Sequence, residues 1–296
     1  VIPAILAALA SAAVFAGSTA LQHRAAARTP GDDRSGLRIF GPLVRRPSWL
    51  VGIAMSFLAF CLHALALKLG PLGLVQPIIV SSIVFAVFIR AGLDRRLPPR
   101  KVLVSSAITW GGLALFIATT HASAPKPPRD SVAAWFVGLA VAVVAVTVVS
   151  LGKVATPERR GLLLGASAGI LFGLVAGLIK LVISQLHSGV GAMLTHWPVW
   201  AMIIVGVAAF VLNQQAYQAT RLSVSMPVLN IFDVMVAIGF GVAVFGEQPF
   251  SSPVTLVAEV VGLVAMAVGV RQLAHHEESS KPQEKARTDA PGTAHV

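Results

Sequence analysis

Apolar residues run through this chain in blocks of about twenty, separated by short segments that hold most of its charge. A bilayer core takes roughly 20 apolar residues of helix, and nine stretches reach that length: residues 1–22, 49–68, 71–91, 101–120, 131–151, 161–186, 197–219, 222–245 and 253–274. The pattern predicts an all-α fold, a polytopic membrane bundle of nine spans, or ten if the stretch from Lys180 to Trp197 holds a half-helix. The mixture of Glu, Ser, Lys, Pro and Thr over residues 275–296 has too little apolar content to bury and predicts a disordered tail. A signal peptide carries its positive charge ahead of its apolar run. Here Arg24 and Arg28 follow the first span and nothing basic precedes it, so an uncleaved first helix with its N-terminus outside is expected.

Composition agrees: 56% of the 296 residues are hydrophobic and 12% charged, against about 25% charged in soluble domains. The net charge of +11 would suggest nucleic acid if the basic residues formed one face. They fall instead into alternate loops. Arg24, Arg28, Arg34, Arg38, Arg45 and Arg46 follow the first span, and Arg90, Arg95, Arg96, Arg100 and Lys101 follow the third. Lys153, Arg159 and Arg160 follow the fifth, Arg221 the seventh, and Arg271, Lys281, Lys285 and Arg287 the ninth. The opposite loops offer Lys68, Lys126 and Arg129, and Lys180 lies within a span. The positive-inside rule then predicts a cytoplasmic membrane protein with its N-terminus outside and C-terminus in the cytoplasm, its surface partner the bilayer rather than nucleic acid. The single cysteine, Cys61, excludes a disulfide framework and a Cys-based metal site.

A shift of 150 residues aligns Ala66 with Ala216, Leu72 with Leu222, Pro77 with Pro227, Pro99 with Pro249, Gly112 with Gly262 and Leu113 with Leu263. Upstream, Ala10-Ser11-Ala12 with Gly17 matches Ala166-Ser167-Ala168 with Gly173 at a slightly larger offset. Spans 1–4 therefore repeat as spans 6–9, and the extra fifth span inverts the second copy. The expected organisation is an N-terminal half over 1–151, a C-terminal half over 152–274 and the tail over 275–296. Inverted repeats are the architecture of many secondary transporters, with a site near the midplane between the halves. Pro77 and Pro227 deprive the carbonyls of Gly73 and Ser223 of their partners. The inversion puts these bends at opposite faces, where two gates would sit; tolerated first- or second-turn prolines are the alternative. Gly161, Gly165, Gly169, Gly173 and Gly177 recur every four residues, a groove for close helix packing.

Ionisable residues within spans demand an explanation. Asp233 lies near the middle of span 8, with Asn230 three residues before it and Ala237 and Gly241 extending a small-residue face. This suits a lined cavity, or a protonated structural carboxyl. Glu259 sits in span 9 and Lys180 in the outer part of span 6; they are expected to pair, or Lys180 to snorkel outward. Glu247, after Phe245-Gly246, reads as a solvated interface residue. Asn213-Gln214-Gln215-Ala216-Tyr217-Gln218 is amide-rich, with Gln214 and Gln218 on one face. Together with Gln76, Ser81, Ser82 and His63, these amides are expected to face the protein interior, binding substrate or joining helices. No Walker A, His-Glu-x-x-His or Cys-x-x-Cys sequence occurs, and no enzyme is expected.

The run from Ala66 through Lys68-Leu69-Gly70-Pro71 to Val75-Gln76-Pro77 resembles a helix junction of the drug/metabolite transporter (EamA-like) superfamily, in particular the actinobacterial branch related to NIPA-type magnesium transporters. The resemblance returns in Asn213 to Ala219, in Ser225-Met226-Pro227 and in Phe245-Gly246-Glu247, and covers all but the tail. It implies two inverted halves and transport of a small solute or cation, and fixes no substrate. NIPA-type proteins usually read Val-Ala-Pro-Leu-Gly where this chain reads Val75-Gln76-Pro77-Ile78-Ile79. The small multidrug exporters rely on a first-helix glutamate, which this chain lacks.

The leading expectation is alternating access around Asp233, Asn230, Gln76, Gln214 and Gln218, with Asp233 binding a cation or carrying a coupling proton and no resident cofactor. The alternative within transport is a magnesium permease, with Asp233 and Glu259 as ligands to a hydrated Mg²⁺. The alternative of another class is a membrane scaffold or assembly protein. A water-accessible cavity at Asp233 favours transport, and full burial favours a scaffold. The oligomeric state, a homodimer included, is open.

Overall fold

The computed structural model describes residues 1–27, 45–93, 97–120, 127–151, 156–185, 194–219, 222–248 and 252–288, with residues 95, 153, 154 and 189 between them. Its helices are α1 (Ile2–Ala27), α2 (Pro47–Leu69), α3 (Leu72–Val80), α4 (Ser82–Leu93), α5 (Arg100–Thr119), α6 (Asp130–Leu151), α7 (Pro157–Ser184), α8 (Trp197–Ala219), α9 (Leu222–Phe245) and α10 (Pro253–Thr288). No strand occurs among the described residues. Proline, whose missing N–H costs nothing in a first turn, marks the starts of α2, α7 and α10. Counting α3 with α4 as Leu72–Leu93, nine helices among the described residues are long and apolar enough to cross a membrane. The chain is an all-α integral membrane protein. Side chains such as Phe57, Trp135 and Ile204 stand exposed on its flanks, where acyl chains rather than water would meet them.

The predicted spans agree with the helices to within about four residues, with three differences. The third span is two helices. Ser81 donates its backbone N–H to Ile78 O at 3.0 Å, and its hydroxyl to the same oxygen at 2.6 Å. The interruption thus lies four residues beyond Pro77, not at the Gly73 carbonyl, and α9 passes through Pro227 unbroken. At the C-terminus α10 runs on to Thr288, past the His275 where the sequence predicts order to end. Extending an existing helix avoids the nucleation cost that a separate segment would meet. In the stretch from Lys180 to Trp197, α7 takes the residues through Ser184, and most of the remainder lies outside the described residues. Several loop arginines behind the orientation argument, Arg28, Arg34, Arg38, Arg96 and Arg221, also lie outside them.

Corresponding helices pack alike in the two halves. In the first, α1 lies against α2 and α4; in the second, α7 lies against α8 and α9. The halves meet where α5 packs along α10 and where α3 crosses α9, while α6, the unrepeated helix, packs mainly on α7. In α1, Ser11 Oγ donates to Ala59 O at 2.8 Å and Ser18 Oγ to Gly52 O at 2.8 Å. In α7, Ser167, the counterpart of Ser11, bonds Thr147 of α6 at 2.7 Å. The repeated serines therefore hold different neighbours.

The glycine row of α7 takes the backbone of α9. A Cβ added at Gly165 would lie 2.9 Å from Ser225 O, and Cβ atoms at Gly169 and Gly173 would collide with Leu229 O and Asp233 O. At Gly177 the obstacle is the ring of Phe240, 2.5 Å away, and Gly161 is buried at the start of the row. Without Cβ atoms the two backbones approach closely enough for dispersion to hold them in lipid, which offers no hydrophobic drive.

Candidate functional site

The α7 groove fixes where α9 presents its polar residues. Asp233 carries its backbone carbonyl against Gly173, and its carboxylate Oδ1 is buried without a hydrogen-bond partner among the described residues. Asn230, three residues earlier on the neighbouring surface, has its Nδ2 in the same condition. An apolar groove of about 800 Å³ runs between α9 and α10, with Pro227, Asn230, Val264 and Arg271 on its walls. Asn230 reaches it, and Asp233 is not among its lining residues. Asp233 is thus half-buried, with Oδ1 covered, one turn from an opening.

Gln76 is buried at 2% exposure on α3, the helix that crosses α9. Pro77 is buried beside it, and Pro227 lines the groove. Gln214 is exposed on α8, contrary to the expectation that it faces the interior. The side chain of Gln218 lies outside the described residues. Nothing brings Gln214 to Asn230 and Asp233, because α8 packs on α7 and only slightly on α9. Glu259 is buried at 1% exposure on α10, which packs against both α5 and α9. Among the described residues no three His, Cys, Asp or Glu side chains gather where they could hold a metal ion.

The strongest polar cluster is one the sequence misassigned. Lys180 pairs with Glu247, not Glu259, at 2.5 Å, with side chains 7% and 3% exposed, so Glu247 is no solvated interface residue. Both carboxylate oxygens of Glu247 accept the backbone N–H of Leu72, at 3.1 and 3.0 Å. Lys180 Nζ also donates to Gly70 O at 2.8 Å and stands 5.2 Å from the ring centroid of Phe245. Each charge therefore meets a helix end of the right sign. The carboxylate caps the N-terminus of α3, and the ammonium meets the C-terminal end of α2. Gly246, at φ 61°, turns the chain after α9 and sends Glu247 back inward, its N–H bonding Gly241 O at 3.1 Å. A Cβ at Gly241 would strike the Glu247 carboxylate. The glycine after the last apolar residue of span 8 was the available signal, since a left-handed cap there reverses the chain.

A curated protein of Corynebacterium glutamicum, described as uncharacterized, is 30% identical over 255 residues, covering 83% of this chain and 85% of its own length. No family model matches the chain. No solved structure matches it. At that identity and coverage, the chain belongs to the same family as this uncharacterized corynebacterial protein.

Proposed function

We propose that this integral membrane protein is a secondary transporter of a small solute or cation, of the drug/metabolite transporter type, working by alternating access between its two inverted halves. One observation carries the reading: Asp233 and Asn230, both half-buried, hold covered polar atoms without partners among the described residues beside the groove between α9 and α10. Such atoms cost several kcal/mol in a hydrocarbon setting, and Asp233 is short of the full burial that a scaffold predicts. In a transporter a carboxylate and an amide covered in one state become solute contacts in another. The break at Ser81 adds support, since interrupted helices supply backbone groups to transporter sites. Gln76, one to two turns before that break, joins Asp233 and Asn230 as a solute contact in this reading. Asp233 binds a cation directly or carries a coupling proton, and the N-terminus lies outside with the C-terminus cytoplasmic.

A magnesium permease is the second reading. It is favoured by α9 and α10 packing on each other with one carboxylate on each, the half-buried Asp233 and the buried Glu259. Mg²⁺ keeps several waters and takes one or two carboxylates.

The test is Mg²⁺ flux, and in parallel the counterflow of radiolabelled organic cations and zwitterions, into liposomes holding the purified protein. The wild type, Asp233→Asn and empty liposomes are compared. Flux that Asp233→Asn abolishes in correctly folded protein supports transport, and Mg²⁺ as the moving species selects the permease. Flux unchanged in Asp233→Asn removes Asp233 from the mechanism. Absence of flux for every probe leaves the scaffold as the better account.

A further inference from the structure

The Lys180 cluster lies far from the groove along the same helices. Lys180 is 18 residues beyond Leu162, which lines the groove on α7, a distance of about 27 Å at 1.5 Å per residue. On α9 the groove runs from Pro227 to Met235, and Met235 is 10 residues, about 15 Å by the same rule, short of Phe245, where the helix ends. The groove therefore lies toward the Leu162 and Pro227 ends of α7 and α9, and the ion pair sits near their other ends.

The pair joins both halves of the repeat: Gly70 and Leu72 belong to the first, Lys180 and Glu247 to the second. The 150-residue shift places Leu97 opposite Glu247 and Leu222 opposite Leu72. Leu97 is 95% exposed and carries no charge, so no carboxylate stands at the position opposite Glu247.

We propose that Lys180 and Glu247 form a latch that closes the α2–α3 end of the pathway between the halves. Its release, with Glu247 leaving the N-terminus of α3, opens that end. The ion pair, two carboxylate contacts to Leu72 N–H, the Gly70 carbonyl contact and the Phe245 ring all depend on one arrangement of α2, α3, α7 and α9. Rotation of α3 away from α9 would break the carboxylate contacts together, giving two discrete states rather than a gradual loosening. The proposal deepens the transport reading and rests on it.

A cysteine reporter tests the latch without requiring a known solute. Gln76→Cys, in a Cys61→Ser background, places a thiol about 6 Å below Leu72 on α3. Labelling by a membrane-impermeant maleimide is followed separately in right-side-out and inside-out vesicles. Three proteins are compared: the reporter alone, the reporter with Lys180→Met/Glu247→Gln, and the reporter with Gly241→Ala. The double variant removes both charges together, and Gly241→Ala displaces the carboxylate while leaving the pair's chemistry intact. The expected result in both is labelling at least about tenfold faster from the α2–α3 side alone, since about 1.4 kcal/mol of bias gives a tenfold population shift. Unchanged labelling in both variants, each eluting as folded protein, overturns the latch. So does an equal gain from both sides, which reports general loosening. A labelling gain combined with no Asp233-dependent flux keeps the latch and sinks the transport reading. Asp233-dependent flux with unchanged labelling does the reverse.

Discussion

Gly112 of α5 and Gly262 of α10 face each other backbone to backbone. A Cβ built on Gly112 would lie 2.6 Å from Gly262 O, and one built on Gly262 would lie 2.7 Å from Gly112 O. The next contacts are reciprocal too. The Cβ built on Gly112 would lie 2.8 Å from the Met266 backbone N, the one on Gly262 3.1 Å from the Phe116 backbone N, and Phe116 and Met266 are themselves 150 residues apart. Contacts in which i meets j and j meets i are the mark of a two-fold relation. These reciprocal contacts carry the 150-residue offset of the sequence.

Alanine at either position should therefore destabilise the fold by a similar amount, about 1–3 kcal/mol for an overpacked site whose obstacle is backbone. Gly111→Ala is the control, because nothing lies within 4 Å of a Cβ there and alanine favours a helix. Thermal unfolding in detergent should show Gly112→Ala and Gly262→Ala lowered together and Gly111→Ala unchanged or raised. A strongly unequal pair would contradict the two-fold relation.

The α7 row should not respond uniformly. Gly169→Ala and Gly173→Ala push against the carbonyls of Leu229 and Asp233, whereas Gly177→Ala pushes against the Phe240 ring, a side chain rather than backbone. The first two should each lose more thermal stability than the third, by about 1 kcal/mol or more. Equal losses would mean that α9 shifts as a rigid unit.

Breaking the buried pair from one side should cost more than removing both charges. Lys180→Met leaves Glu247 buried without its cation, a penalty of about 3–5 kcal/mol in comparable sites. Adding Glu247→Gln should recover part of it. A double-mutant cycle in denaturant should give a coupling of about 1 kcal/mol or more, and little dependence on salt, since screening acts weakly on a buried pair. A coupling near zero would show that the two residues act independently.

The first two helices are joined by hydroxyls. Ser18 Oγ bonds Gly52 O at 2.8 Å and Ser56 Oγ at 2.5 Å, and Gln22 Nε2 donates to Ser18 Oγ at 2.9 Å. Ser18→Ala should cost about 0.6–2 kcal/mol, the range of interhelical hydrogen bonds in membranes. The check is whether Thr19→Ala, whose hydroxyl bonds Phe15 O of its own helix at 3.0 Å, melts closer to wild type.

The sequence by itself determined the helical class and the nine apolar spans. These follow from a local quantity, apolar run length against bilayer thickness. The α7 packing row was legible for the same reason, since five glycines at steps of four define a face on any helix. What only the tertiary structure decided was which helix each polar residue meets. Lys180 was expected to pair with Glu259 or to snorkel outward, and the fold joined it to Glu247, 67 residues away. Glu247 was read as solvated because it follows a span, and the left-handed turn at Gly246 buried it against Leu72, 175 residues distant. Gln214 had the composition of an interior amide and came to the surface because α8 turns its other face to α7. A single helix carries its own periodicity in its residues, whereas its rotation about its axis is set by the backbones it packs against.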